Sequence, residues 1–317
     1  MATRVFLTVD TELLWRHHAA GLPSAEIVAR SLEPAGVGIA YQLATLAEHR
    51  LKATFFVDPM PALVHGIEHV RAVVAAILAA GQEVQLHLHP NWIDAKAVDR
   101  TAHGRFELID FSAAEQRGLI AQARDLLIEA GAPAPVAFRS GSYSANDATL
   151  DALAALGFAY DSSHNGSEHP WPSAIALPVR QIAPVAHRGV TEVPVTVIED
   201  RAGRLRHFQL CALSVGEMRA ALDHAAIRDH AAVTIVSHGF ELANRAGTQR
   251  NTVHVRRFEA LCAMLAARRD TLVTTHFAER AALPLDRADT PLGPSLWRTR
   301  RRQVEQLWSN LVAERAA

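Results

Sequence analysis

Short runs of β-branched and aromatic residues alternate along this chain with longer stretches of helical periodicity, and no other feature constrains the fold as strongly. Val5–Asp10, Ala53–Asp58 and Glu83–His89 are predicted strands, while Ile39–His49 and Ala62–Ala80 are predicted helices. Further predicted strands are Pro135–Arg139, Phe158–Asp161, Thr191–Ile198, Ala232–Ser237 and Thr271–His276, and a further predicted helix is Phe258–Arg268. Such alternation forms a mostly parallel sheet covered on both sides, and about seven units favour a closed α/β barrel over an open sheet.

Three more helices are predicted from the residues at which they begin. Ser112 is followed three residues later by Glu115, and Ser214 by Glu217, so each pair forms a capping box. Asn146 is the predicted cap of a third helix.

Length and charge limit the class of protein. One barrel can occupy most of 317 residues, so we predict a single barrel domain over 1–280 and a helical extension over 281–317. The net charge is −1, whereas dedicated nucleic-acid binders usually carry a basic excess. We therefore expect no nucleic-acid partner. The chain also lacks the glycine-rich dinucleotide and P-loop motifs, which weakens the nucleotide-binding folds as alternatives to the barrel.

Cysteine usage and hydropathy indicate a compartment. Cys211 and Cys262 stand alone in unrelated contexts and form neither a disulfide framework nor a thiolate metal site. No apolar run approaches the ~18 residues of a membrane span. Asp10 and Glu12 fall where a signal peptide would be apolar. We therefore expect a cytoplasmic protein.

Polar residues repeatedly stand at the ends of the predicted strands. These residues are Asp10, His87, His89, Arg139, Asp161 and His238. In α/β barrels the carboxyl ends of the strands meet at one rim, where side chains distant in sequence form the active site. Burying the Asp or His at the end of an apolar strand costs free energy unless that side chain meets a partner, water or a metal.

Two of these strand ends have the spacing of a metal site. His87 and His89 project to the same face of an extended strand, about 7 Å apart along the chain, and their imidazoles could converge on a cation. Asp10 and Glu12 repeat the spacing with carboxylates, one of which could bind a metal while the other acts as a general base. A pair of hydrogen-bonded histidines, and helix-capping or solvated loop acids, are the alternatives.

His238 and Arg139 have two interpretations each. The ordinary pKa of histidine lies near neutrality, so His238 could act as a general acid, or it could be a buried structural histidine. Arg139 could pair with a carboxylate of the rim or form an ordinary ion pair.

At these residues the sequence resembles the polysaccharide deacetylase family, carbohydrate esterase family 4. The similar segments occur in the family's order: Leu7–Glu12, Glu83–Pro90, Phe138–Tyr143, Tyr160–Ser163 and Ile235–His238. The resemblance implies a distorted (β/α)7 barrel with one divalent metal, usually zinc. It also implies hydrolysis of N- or O-acetyl groups on sugars.

The resemblance implies a role for each matching residue. Asp10 would be the catalytic base, Arg139 would orient it, and His238 would be the general acid. The metal would be held by Glu12, His87 and His89. Asp161 would shape one wall of the substrate groove. Tyr143 and Trp92 lie in or near strand-end loops, where their rings could stack on a sugar or simply close the core, and they are predicted substrate contacts. A backbone N–H near Tyr143 would stabilise the oxyanion.

Two features depart from the family pattern. Thr11 stands where the family has a second aspartate, and the histidines are two apart instead of four. A cyclic-amide or other C–N hydrolase, with or without metal, and an inactive barrel that binds a glycan or a protein therefore remain as alternatives. The expected substrate is a carbohydrate or a nucleotide- or lipid-linked sugar.

The residues after Ser295 form an amphipathic pattern. Trp297, Val304, Trp308, Leu311 and Val312 recur at helical spacing beside a cluster of arginines at 298 and 300–302. Such a helix could pack on the barrel, join two copies into a homo-oligomer, or contact an anionic membrane surface.

Overall fold

The computed structural model of the chain describes residues 2–95, 105–285 and 287–309. The strands are β1 (Thr3–Thr11), β2 (Thr54–Val57), β3 (Glu83–Leu88), β4 (Ala137–Ser140), β5 (Ala145–Asn146), β6 (Tyr160–Asp161), β7 (Ser173–Ala174), β8 (Val185–His187), β9 (Val190–Glu192), β10 (Val197–Arg201), β11 (Arg204–His207), β12 (Ala232–His238) and β13 (Leu272–Thr274). The helices are α1 (Trp15–Ala19), α2 (Ser24–Leu32), α3 (Ile39–His49), α4 (Ala62–His65), α5 (Glu68–Ala79), α6 (Ala113–Glu129), α7 (Asp147–Ala155), α8 (Val215–Ile227), α9 (Thr252–Ala266) and α10 (Leu296–Trp308).

A curled sheet forms the centre of the fold. Its order is β12-β1-β2-β3-β4-β6-β9-β8, and β13 also pairs with β1. Neighbouring strands are parallel except β8, which is antiparallel to β9. Beyond β9 the chain reaches the opposite edge, where the Thr196 N–H donates to the Thr234 carbonyl of β12 at 3.2 Å. The predicted α/β barrel is confirmed.

Alternation along β1 separates the interior of the barrel from the layer of helices. Val5, Leu7 and Val9 belong to the large cluster of buried residues that includes the helices, whereas Phe6 belongs to a second cluster. In that second cluster the Phe6 ring stacks on Phe277 with centroids 4.4 Å apart. Successive side chains of a strand point to opposite faces, so Thr8 and Asp10 share the inner face with Phe6.

The helix starts that were predicted from local sequence are confirmed. In α6 and α8, Ser112 and Ser214 accept hydrogen bonds from the N–H groups of Glu115 and Glu217, completing both capping boxes. Asn146 caps α7 in the same way. These ends are predictable because the capping groups lie within one helical turn.

Three predicted elements differ from the structure. The predicted helix over 62–80 is two helices, α4 and α5, because the chain turns at Gly66, whose φ is +80°. The predicted strand over 191–198 is divided between β9 and β10. Pro194, which has no N–H to donate to a ladder, lies at the division. Helix α9 begins six residues before its predicted start, at a cap formed by Asn251.

We predict that Phe6→Ala lowers the free energy of unfolding by about 3–5 kcal/mol, because it leaves a cavity beneath the inner face of the barrel. Urea unfolding followed by circular dichroism measures the loss. The control is Leu63→Ala on α4, whose side chain is 44% exposed, and it should change stability by less than about 0.5 kcal/mol. A loss below about 1 kcal/mol for Phe6→Ala would contradict the packing described for the interior.

Candidate metal centre and active site

Three side chains predicted as metal ligands meet at the carboxyl ends of β1 and β3. One donor atom from each of Glu12, His87 and His89 lies within 4.8 Å of the other two. The Nε2 atom of His87 lies 3.2 Å from Oε2 of Glu12, and Nε2 of His89 contacts the same oxygen. No other group of three such side chains is this close in the part of the chain that the structure describes.

The backbone around these histidines sets their orientation. Nδ1 of His87 lies 2.8 Å from the carbonyl oxygen of Arg139. A carbonyl can only accept, so Nδ1 carries the hydrogen and Nε2 is directed at Glu12. The ring of His89 packs against Gly141, where an added Cβ would lie 2.3 Å from Nδ1. Only glycine fits beside the His89 ring.

The electrostatics of this group suit a cation. Burial would raise the pKa of Glu12, but the charges of His89 and His87 and their hydrogen bonds lower it well below its ordinary value. Burial would lower the pKa of His89, but Glu12 raises it to about 9. A carboxylate and two imidazoles are a donor set that zinc and similar divalent cations prefer. The three residues therefore fit a divalent metal ion.

Beside this group, a buried ion pair holds Asp10. The Arg139 guanidinium donates from Nη1 to Oδ1 of Asp10 at 2.7 Å and to the Thr8 hydroxyl at 2.7 Å. It also donates to the backbone carbonyl and hydroxyl oxygens of Ser162 and lies over the Phe56 ring. Arg139 is fully buried, so this network defines the position of Asp10. The predicted pairing of Arg139 with a carboxylate of the rim is present.

His238 faces the other oxygen of Asp10. The β1–β12 register aligns Asp10 with His238, and Nε2 of His238 lies 4.0 Å from Oδ2 of Asp10. On the far side of the ring, Nδ1 lies 3.5 Å from Oε1 of Glu241. The side chain of Gln209 donates to Glu241 and also contacts Nδ1 of His238.

Glu241 changes the protonation of His238. Burial would lower the pKa of His238, but the hydrogen bond and charge of Glu241, together with Asp10, raise it to about 9. Burial would raise the pKa of Glu241, but His238 lowers it to about 2. His238 is therefore held as an imidazolium near neutral pH, the form that can donate a proton.

Sequence reasoning missed Glu241 and Gln209. Glu241 lies three residues after His238, and this His-x-x-Glu spacing is a signal that could have identified it. Gln209 follows β11 in an irregular segment, where neither periodicity nor a motif marks it. Gly141 was inside a segment similar to the family, but only the structure reveals its contact with His89.

Tyr143 lies in the short turn that follows β4. Its φ is +60°, and no described atom forms a hydrogen bond with its buried hydroxyl. Burial and the charge of Asp10 raise the pKa of this hydroxyl well above its ordinary value. The hydroxyl is therefore a neutral donor without a partner among the described residues, close to the candidate site.

Two of the predicted substrate-contact residues are buried. Trp92 is 1% exposed and packs against Trp15, His18 and His65 in an aromatic cluster. Asp161 is 0% exposed, and its carboxylate accepts hydrogen bonds from the Ser163 hydroxyl and N–H. Both side chains are therefore enclosed by protein, and their contacts with a substrate stay predictions.

Two solved structures with TM-scores above 0.5 confirm the fold. A candidate polysaccharide deacetylase from Mycobacterium smegmatis matches with a TM-score of 0.58 and 18% identity, over 91% of this chain and 95% of that chain. A 4-alpha-glucanotransferase from Thermococcus litoralis matches with a TM-score of 0.54 and 10% identity, over 92% of this chain and 41% of that chain. A family 4 carbohydrate esterase from Streptomyces lividans matches with a TM-score of 0.43 and 14% identity, over 92% and 98%. No protein-family model and no curated protein matches the sequence.

We predict that Gly141→Ala weakens zinc binding about 10–100-fold, because the new methyl group displaces the His89 ring. Zinc affinity is measured by competition with a chelator, and circular dichroism confirms folding. The control is Gly118→Ala in α6, where the added Cβ meets no atom within 4 Å and affinity should not change. Equal zinc affinity in the two variants would remove His89 from the candidate metal site.

Proposed function

We propose that this chain is a metal-dependent hydrolase that removes an acetyl group from the nitrogen of an amino sugar or glycan precursor. The observation that carries the proposal is the convergence of Glu12, His87 and His89 beside Asp10 and His238 at one end of the barrel. The similar fold of the candidate polysaccharide deacetylase from Mycobacterium smegmatis supports the carbohydrate class. The 4-alpha-glucanotransferase has a similar fold although its name indicates a different reaction. The proposed deacetylase function therefore rests on the residues of the site and not on the fold.

The candidate metal centre would activate the water and the acetyl group in this reaction. Glu12, His87 and His89 would hold a divalent cation, and their donor set suits zinc, whose chemistry is to acidify water and polarise a carbonyl oxygen. The hydrogen bond from Nδ1 of His87 to the Arg139 carbonyl keeps Nε2 available as the donor atom.

Asp10 is the proposed general base. Arg139 occupies Oδ1 of Asp10, so Oδ2 remains to accept a proton from the attacking water. The buried ion pair also restricts the rotation of the carboxylate, which keeps Oδ2 directed at the space shared with His238.

His238 is the proposed general acid. As the C–N bond of the amide breaks, Nε2 of His238 gives its proton to the leaving nitrogen, and the products are acetate and a free amine. Glu241 acts as a positioning residue, because it stabilises the imidazolium through Nδ1. A backbone N–H near Tyr143 is proposed to stabilise the oxyanion.

The test of the function is a panel of N-acetylated sugars, oligosaccharides and nucleotide-linked sugars, with acetate release as the measurement. We expect acetate from at least one member and loss of that activity after treatment with a chelator. Cyclic amides belong in the same panel, because turnover of those compounds alone would indicate the cyclic-amide alternative. A metal-loaded chain that releases nothing from the panel would favour the inactive barrel.

We predict that His87→Ala reduces bound zinc, whereas Asp10→Asn keeps zinc and lowers kcat about 10²–10⁴-fold because it removes the general base. Elemental analysis gives the metal content, and acetate release gives the rate. His49→Ala at the end of α3 is the matched control and should keep both. Full zinc content in folded His87→Ala would refute the ligand assignment, and full activity in Asp10→Asn would remove it from the base role.

We predict that Glu241→Gln shifts the alkaline limb of kcat/KM to lower pH. His238 must be protonated, so activity falls as the pH rises through its pKa of about 9, and removing the Glu241 charge lowers that pKa. The pH profile of acetate release measures the shift, with exposed Glu48→Gln as the control. An unchanged alkaline limb would show that Glu241 does not hold the proton of His238.

Other properties stay predictions. The described residues contain no helix long and apolar enough to cross a membrane. The cytoplasmic location, the nucleotide or lipid carrier of the sugar, the homo-oligomer and the boundary between barrel and extension at residue 280 are retained as proposals.

A further inference from the structure

The C-terminal helix α10 packs on the barrel with its polar side. Arg302 is 3% exposed, and it donates to Asp200 at the end of β10 and to Glu217 in the first turn of α8, the latter at 3.0 Å. The Thr299 hydroxyl donates to the backbone carbonyl of Asp200 at 3.1 Å. These buried ion pairs fix the rotation of the helix about its axis, because any other rotation would bury charges without partners.

Two further contacts hold the C-terminal half of the helix. Arg257 of α9 lies 3.4 Å from Glu305, and Asn251 donates to the hydroxyl of Ser309 at 3.1 Å. The residues at 299, 302, 305 and 309 therefore form the inner side of α10.

The apolar residues of α10 consequently lie on the outside. Leu296 is 75% exposed, Trp297 85%, Val304 67% and Leu307 61%. At 3.6 residues per turn, these four residues together with Arg300 and Arg301 cover an arc of about 140°. We name these six residues the outer face of α10. Of the three alternatives considered for this helix, packing on the barrel is present in the structure, but the apolar residues do not make the contact.

The charges of the outer face identify its partner. Arg300 and Arg301 are exposed between the apolar residues, and the one carboxylate within the described helix, Glu305, already pairs with Arg257 and Arg301. Two copies of the outer face would bring arginines against arginines. The surface of a bilayer with anionic lipids accepts both features, because apolar side chains enter the acyl boundary while arginines meet the phosphates.

We propose that the outer face of α10 binds the surface of membranes that contain anionic lipids. The proposal does not depend on the proposed hydrolase activity, because none of its residues belongs to the candidate site. Two hydrogen bonds nevertheless connect the end of the helix to the loop after His238. Ser309 contacts Asn251, whose N–H donates to the carbonyl of Leu242 in the loop after His238.

Vesicle sedimentation of the full chain tests the proposal. The probes are vesicles of phosphatidylcholine alone and of phosphatidylcholine mixed with phosphatidylglycerol. We expect binding to the mixed vesicles that weakens as salt is added, and little binding to the neutral vesicles. Absence of binding to the mixed vesicles at low salt would overturn the proposal.

Variants separate the outer face from the rest of the surface. Trp297→Asp and Val304→Asp should each reduce vesicle affinity about tenfold or more, and Arg300→Gln and Arg301→Gln about fivefold each. Leu63→Asp on α4 is the matched control, since it places the same charge on an exposed apolar residue elsewhere, and its affinity should not change. Unchanged binding in all four α10 variants would assign vesicle binding to another surface.

Light scattering tests whether a second copy of the chain, instead of a bilayer, covers the outer face. If the chain is a dimer in solution and Trp297→Asp converts it to a monomer, a second copy covers the outer face and the bilayer assignment is overturned. A monomeric chain that binds mixed vesicles through these residues supports it. All substituted side chains are exposed, and circular dichroism checks that each variant folds.

Discussion

The interior of this barrel depends on the buried side chain of Arg139. The guanidinium of Arg139 lies beneath the candidate site without access to water, and a charge there is tolerated only because its donors have partners. Thr8 and Asp10 of β1 and Ser162, which directly follows β6, supply these partners. The proposed base is therefore held by the same contacts that satisfy the core, so its position is as rigid as the packing around it.

The same residue also reaches the candidate metal centre through its backbone. Because β3 and β4 pair with His87 opposite Arg139, the carbonyl of Arg139 receives the hydrogen of the His87 ring. The side chain of Arg139 thus places the carboxylate, and its main chain selects the tautomer of the imidazole. A shift in the β3–β4 register would disturb both at once, which links the geometry of the metal group to that of the base.

Much of this arrangement could be predicted because the relevant signals are local or follow from parallel topology. Parallel strands end at one rim, so Asp10, Glu12, His87, His89, Arg139 and His238 come together as predicted. Residue type alone does not reveal burial, so the enclosure of Trp92 and Asp161, both predicted to contact a substrate, could not be foreseen. Gln209 was missed because it lies in an irregular segment, where neither periodicity nor a motif marks it.

The orientation of α10 was missed because buried ion pairs outweigh its apolar periodicity. Predicted residues at 311–312 and the side chain of Trp308 lie outside the described structure.

The carboxylate of Asp200 accepts from two arginines, one in the hairpin formed by β10 and β11 and one in α10. Arg302 continues the chain of charges to Glu217, so the hairpin, the C-terminal helix and the start of α8 share one internal electrostatic network. Proteolytic removal of the last helix would strip Glu217 of its described cationic partner while the barrel shields it from solvent. The extension thus completes the charge balance of the body to which it is attached, and trimming it would destabilise the neighbouring hairpin and helix.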